Sequence, residues 1–267
     1  GTDLLLDLQQ NRSGPVQSLV DITKIPELHT LEVRRDPQLG ERLFVGAGVS
    51  LNRVAQHPLV WHHAAALVDA CRLIGGPQVR NSATLGGNVA HALPAADGSI
   101  ALLALDAQAE VLGVDGRIIL PLSELYLGPG KSALQQTAQI LVGFYLPLHM
   151  PGMASAFQRV MRPQGVALPV LNMACWLQRQ GAQIRDLHLA LGPAGTTPQR
   201  AQVVEQLLCN QIYSPDALEA AGVALLESAH FRTSPRRASS AYRQHLSKML
   251  LYAVIQVAWE RAGESMN

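Results

Sequence analysis

The chain has 267 residues, of which 48% are hydrophobic, 15% charged and 4% aromatic, a globular composition that excludes a disordered or fibrous protein. That length carries one large domain or two modest ones with a sizeable core. Lys and Arg number 21 against 20 Asp and Glu, so the net charge of +1 gives no electrostatic ground for binding nucleic acid or an anionic membrane.

In chain order, Gly1 to Leu8 reads as a turn entering a short helix. A short strand is expected at 19–21, then a Pro-containing turn and a second strand at 31–33. RLFVGAGVSLNRV predicts a strand, a glycine turn and a helix opened by Ser50, a good N-cap. The Ala-rich VWHHAAALVDACRLIGG reads as one helix stopped by Gly75 and Gly76. A long glycine-rich loop, RLIGGPQVRNSATLGGNVAHALPAAD, follows and leads into a buried helix or strand at 100–105. AEVLGVDGRIILPL is a hairpin turning at Asp115-Gly116, GPGKS is a loop, and QILVGFYLPL is a strand stopped by Pro147. His149 to Gly152 (HMPG) is the linker candidate. Beyond it, ASAFQRVMR and VLNMACWLQRQGAQIRDLHLALGPAG predict three antiparallel strands with a tight turn at Gly181-Ala182, then helices at 199–208, 214–230 and 239–262. No apolar run reaches the roughly 18 residues of a membrane span, and no signal peptide is visible.

The glycine-rich stretch holds the chemistry. Glycine lets a ligand approach the main chain closely, and consecutive inward amides form a concave anion site that suits a diphosphate. In NSATLGGN, Thr84 can donate a hydroxyl, Gly86 and Gly87 allow close approach, and Asn88 can donate and accept. Asp97 accepts only when ionised, so it suits a ribose hydroxyl or a ring N–H. Two Gly-Gly pairs alone favour an ordinary turn over a ligand loop, and the pattern is neither G-x-G-x-x-G nor a Walker loop. GPGKS, Gly128 to Ser132, is too short a match to a Walker loop. His62 and His63 are adjacent on a helix and diverge, which makes a poor metal pair. His91 lies inside the loop, where it could touch a ligand or cap a turn. Arg232, Arg236, Arg237 and Arg243 read as a solvated basic face. Cys71, Cys175 and Cys209 are far apart and in no C-x-x-C spacing, so they read as reduced, packed thiols, and a cytoplasmic location is expected. No hydrolytic triad, catalytic acid–base pair or metal site is expected.

GGPQVRNSATLGGNVAHALPAADGSIALLALDAQAEV resembles the FAD-binding subunit of the molybdenum hydroxylases, the family that includes xanthine dehydrogenase and carbon monoxide dehydrogenase. The hallmark is Q-V/I-R-N, then T-I/L-G-G-N, then small residues ending in Asp, here Gln78 to Asn81, Thr84 to Asn88 and Pro94 to Asp97. A second hallmark, A-G-G-T-D-L, is matched from its second glycine onward by Gly1 to Leu5, so a first glycine and a strand–helix unit are expected ahead of Gly1. VGAGVSLNRV, GPGK, ILVGFYLP and SAFQRVMR fall in the family's order, and the resemblance covers essentially the whole chain.

The resemblance implies an α+β fold: a two-subdomain FAD-binding domain of the vanillyl-alcohol-oxidase type over 1–149, then a C-terminal three-stranded antiparallel sheet with helices over 152–264. It implies that Gly1, Thr2, Asp3 and Leu4 form one diphosphate loop and Thr84, Gly86, Gly87 and Asn88 the other. It further implies that Ile74 lies against the flavin, that Asp97 holds a polar part of FAD, and that Leu141 and Gln158 contact the ring from the other side. Two positions depart from the family: Gln158 stands where a basic residue is frequent, with Arg159 beside it, and Val166 where an Asp is frequent. The implied function is electron transfer. A molybdenum-cofactor subunit would oxidise the substrate, a second partner with 2Fe–2S clusters would relay electrons, and this chain's FAD would pass them to NAD⁺, oxygen or a quinone. Two other readings stay open. One is a stand-alone FAD oxidase with His91 as a covalent tether; the other is an FAD-free assembly subunit, supported by the clipped first glycine loop.

Overall fold

The computed structural model describes residues 1–12, 16–135, 138–162, 168–235 and 237–263. The N-terminal half runs α1 (Thr2–Gln9), β1 (Leu31–Asp36), β2 (Gly40–Gly46), α2 (Leu51–Gln56), α3 (Pro58–His63), α4 (Ala65–Leu73), α5 (Pro77–Ser82), α6 (Leu85–Ala90) and α7 (Asp97–Ala104). It continues through β3 (Gln108–Gly113), β4 (Gly116–Pro121), the small hairpin of β5 (Tyr126–Gly128) and β6 (Lys131–Ser132), and β7 (Ile140–Leu146). β1, β2, β7, β3 and β4 form an antiparallel sheet in that order. Its inner residues, among them Leu43, Val45, Ala109, Val111, Leu141 and Phe144, pack against the helices as one apolar cluster.

The second half contains β8 (Met153–Met161), β9 (Pro169–Gln180) and β10 (Gln183–Gly192), joined as the expected antiparallel three with Gly181 at φ +59 in the tight turn. Two short strands, β11 (Gln199–Arg200) and β12 (Gln211–Ile212), add to β10. α8 (Gln202–Leu208), α9 (Pro215–Ser228) and α10 (Ser240–Gly263) cover one face. Strand side chains alternate between faces. Ala156, Met173, Cys175, Leu189 and Leu191 therefore face these helices, while Phe157, Ala174 and Ala190 join the core of the N-terminal half. The sheet is buried on both sides, which is why VLNMACWL reads as a continuous apolar run.

Five local expectations differ. The segment 19–21 is not a strand: its backbone has no ladder partner among the described residues, and the Asp21 carboxylate binds the Thr23 amide and hydroxyl at 2.9 and 2.7 Å in a turn. The Ala-rich helix breaks at Ala64, which leaves helical geometry at φ −145, ψ 55. The glycine-rich loop holds two short helices, α5 opened by Pro77 and α6 capped by Thr84. The GPGKS segment includes part of a small hairpin. Residue 199 starts strand β11, and helix α8 begins at Gln202. By contrast, the Ser50 cap is present, with its Oγ accepting the Arg53 N–H at 3.3 Å. Val166, Arg236 and residue 264 lie outside the described residues.

The junction of the halves carries a histidine cluster. His63 Nδ1 accepts the His149 N–H at 3.0 Å, and the His62 ring lies 4.5 Å from His63 and 5.4 Å from His149. Burial, then the His62 and His149 charges, push His63 down from 6.5 to about 4. A histidine depressed in the fold stabilises it in full above 6.5, and that stabilisation is lost as pH falls towards 4. In thermal melts between these pH values, His63→Asn, which can still accept the His149 N–H, is expected to lose less stability than the parent. Identical pH slopes would refute this.

Candidate functional site

The N-termini of α2 and α6 are sewn together. Ser50 and Thr84 form an antiparallel bridge, Leu51 N–H donates to the Ala83 carbonyl at 3.0 Å, and Leu85 N–H to the Val49 carbonyl at 3.1 Å. This seats the Thr84 to Asn88 turn on the strand-to-helix corner of VGAGVS.

Gly86 and Gly87 do different jobs there. Gly86 is buried, its N–H donates to the Ala47 carbonyl at 2.9 Å, and a Cβ at this position would stand 2.5 Å from the Ala47 Cβ. Its lack of a side chain serves packing. Gly87 is exposed and helical, and a Cβ there would meet only the Thr84 Oγ1, at 3.2 Å. A side chain at 87 would need only the Thr84 hydroxyl to give by a few tenths of an ångström, and within a helix glycine costs about 0.5–1 kcal/mol relative to alanine. The surface over the turn at Gly87 is open.

The expected nest of inward amides is absent from this turn. Leu85 and Gly86 N–H groups bond to Val49 and Ala47, Gly87 N–H to the Thr84 Oγ1 at 3.0 Å, and Asn88 N–H to the Thr84 carbonyl at 3.1 Å. The polar groups left for a ligand are side chains: the Thr84 O–H proton and the Asn88 amide. Asn88 Oδ1 is buried without a partner and sits over Gly98, where a Cβ would come within 2.6 Å of it. A buried acceptor with no donor is costly and asks for one. An open glycine surface next to hydroxyl and amide donors fits the phosphates and hydroxyls of a dinucleotide.

The twelve residues named from the sequence fall into four groups. Thr84, Gly86, Gly87 and Asn88 form one turn against Gly98 at the start of α7. Ile74 and Leu141 lie in or against the same apolar cluster, Leu141 at 7% exposure on β7 and Ile74 half-buried at the end of α4. Gly1, Thr2, Asp3 and Leu4 are exposed at the start of α1, which has no buried residue and, among the described residues, no side-chain hydrogen bond or ion pair. The rest need more comment.

Asp97 is only 4% exposed, and both its oxygens are engaged inside the protein, by Arg159 and by Asn172 at 2.6 Å. Burial raises its carboxyl above the ordinary range, with Arg159 and Asn172 pulling the other way. Gln158 is paired across the sheet with Met173, and both flank residues of the α8–α10 face, Ala156 and Val160. The residues of β8 that face the N-terminal half are Ser155, whose Oγ accepts the Ala66 N–H at 3.0 Å, Phe157 and Arg159. The basic side chain turned towards the site is thus Arg159, and Gln158 points to the other side. His91 caps the end of α6.

Comparison with known proteins decides the family. Residues 1–149 match the model of the FAD binding domain in molybdopterin dehydrogenase, and 155–258 match the CO dehydrogenase flavoprotein C-terminal domain. The chain belongs to the FAD-binding subunits of the molybdenum hydroxylase family. It is 30% identical over 268 residues to the xanthine dehydrogenase FAD-binding subunit of Escherichia coli O157:H7, covering 100% of this chain and 89% of that one. It is 25% identical to the carbon monoxide dehydrogenase medium chain of Hydrogenophaga pseudoflava, covering 98% and 89%. In fold it matches carbon monoxide dehydrogenase from the same organism, solved without the Mo-pyranopterin moiety of its cofactor, with a TM-score of 0.90 at 24% identity over 98% of this chain and 88% of that one. Quinoline 2-oxidoreductase from Pseudomonas putida 86 matches with a TM-score of 0.88 at 23% identity, covering 99% and 89%. The cofactor of this oxidoreductase family is FAD, which the Gly87 surface fits. No helix among the described residues is long and apolar enough to cross a membrane.

Proposed function

We propose that this chain is the flavoprotein subunit of a larger complex, receiving electrons from 2Fe–2S clusters of one partner and delivering them to a final acceptor such as NAD⁺, oxygen or a quinone. A molybdenum-cofactor subunit would oxidise the substrate and feed those clusters. The observation that carries this reading is the exposed, helical Gly87 beside an unpartnered buried Asn88 acceptor, in a chain of this family.

Within that reading the residues divide the work. Thr84 and Asn88 present hydroxyl and amide groups to the polar length of FAD, and Gly87 keeps the approach clear. Ile74 and Leu141 wall the apolar ring, and Gly1 to Leu4 complete the diphosphate end. Bound FAD supplies the redox chemistry, and the chain supplies position and exclusion of water. Cys71 and Cys175 are fully buried in the two separate cores, and burial pushes both thiols above their usual range, so both serve packing. The domain division is proposed at 1–149 and 152–264, with the location cytoplasmic.

The test is anaerobic mixing of the native complex with a purine, an aldehyde, an N-heteroaromatic and carbon monoxide in turn. One of these is expected to bleach the flavin band in the complex, while the isolated chain stays oxidised with every one. An isolated chain that oxidises a substrate by itself would replace this reading with that of a stand-alone oxidase. A complex without flavin would replace it with an assembly role.

A further inference from the structure

One side chain from the C-terminal half reaches two segments that flank the site. Arg159 Nη1 pairs with the Asp97 carboxylate at the start of α7, and Nη2 donates to the carbonyl of Leu73, the residue before Ile74. Neither charge is solvated: the Arg159 side chain is 5% exposed and that of Asp97 4%. Asn172, its neighbour across β8 and β9, donates to the other Asp97 oxygen at 2.6 Å and to the Ala95 carbonyl at 3.2 Å. Arg159 Nε is buried without a partner.

This arrangement is a poor device for stability. Removing two charges from water costs several kcal/mol each, and their attraction returns about as much only with good geometry. It is a good device for geometry, because a planar guanidinium spans two acceptors at a fixed separation where an ammonium reaches one. Resting on the FAD reading above, we infer that Arg159 is a positioning residue for the flavin. It sets the distance between the Leu73-Ile74 end of α4 and the Asp97 end of α7, so a side chain of the C-terminal half shapes a site built mainly from the N-terminal half.

The test compares Arg159→Lys and Arg159→Met with the parent in the whole complex, stripped of flavin and titrated with FAD. Arg159→Lys keeps a cation for Asp97 but releases Leu73. It is expected to melt within a few degrees of the parent, to bind FAD about tenfold more weakly through lost preorganisation, and to change the visible circular dichroism of the bound flavin. Arg159→Met should weaken FAD binding and alter the flavin spectrum more strongly, and it should also lower the melting temperature because it leaves the buried Asp97 without its cation. Unchanged FAD affinity and an unchanged flavin spectrum in both variants would overturn the proposal, and so would a loss of folding in both, which would make the clasp purely structural. A parent complex that takes up no FAD would overturn the underlying reading instead.

Discussion

Gly87→Phe is expected to empty the protein of flavin without unfolding it. The position is exposed and helical, and the only atom a Cβ would meet is the Thr84 Oγ1 at 3.2 Å. Replacing glycine in a helix removes conformational freedom from the unfolded chain, which offsets phenylalanine's weaker helix preference and the tight contact with the Thr84 Oγ1, so stability should stay within about 1 kcal/mol of the parent. The phenyl ring would occupy the space over the turn that a dinucleotide must enter. A steric penalty of about 3 kcal/mol weakens binding roughly 100-fold. Flavin per chain, read from the visible spectrum beside a thermal melt, separates the two effects. Full flavin content in a folded Gly87→Phe protein would show that the turn is not the ligand surface. Gly86 provides the internal contrast, because a side chain there collides with Ala47 and should harm the fold first.

The second large effect is expected at Gly192→Val. A Cβ on Gly192 would stand 2.0 Å from the Pro94 carbonyl oxygen and 3.0 Å from Ile100 Cδ1. Neither side can yield easily. Gly192 closes the β9–β10 ladder opposite Asn172, and Asn172 holds the Pro94 to Asp97 turn through the Ala95 carbonyl. The cost therefore falls at or above the upper end of overpacking, about 3 kcal/mol, which is a loss of roughly 6–12 °C in melting temperature for a chain of this size. Flavin should be lost with it, because the displaced turn carries Asp97. A melting temperature within 2 °C of the parent, flavin retained, would show that the halves are not locked together at this contact.

Much of this architecture was legible in the chain. Ser50 announced α2, Gly181 announced the β9–β10 turn, and Asp115-Gly116 announced the β3–β4 hairpin. Family motifs singled out Thr84 to Asn88, which lie together in one turn at the start of α6. What stayed hidden has physical causes. α5 and α6 are each six residues long, too short for a periodic signal, and α6 carries two glycines that read as a loop. The division of labour between Gly86 and Gly87 depends on Ala47, some forty residues away, which no local pattern reports. Commitment of the turn's amides to Ala47, Val49 and Thr84 depends on the same tertiary seat. The contacts of Arg159 with Asp97 and Leu73 were not legible because β8 packs on both faces, so alternation alone does not say which face meets the N-terminal half. The signal that finds it is Phe157, two residues before, which lies in the first core. Asn172 sits inside an apolar run and gave no sign of its role.

The central claim is that the Gly87 surface holds one FAD in a protein that works with partners. Its most direct measurement is the visible spectrum and cofactor content of the native complex, before and after acid precipitation. One FAD per chain, released into the supernatant and accompanied by molybdenum and iron in the same particle, is the result expected. A monodisperse chain carrying neither flavin nor partners, or a flavin that stays with the precipitated protein, would contradict it.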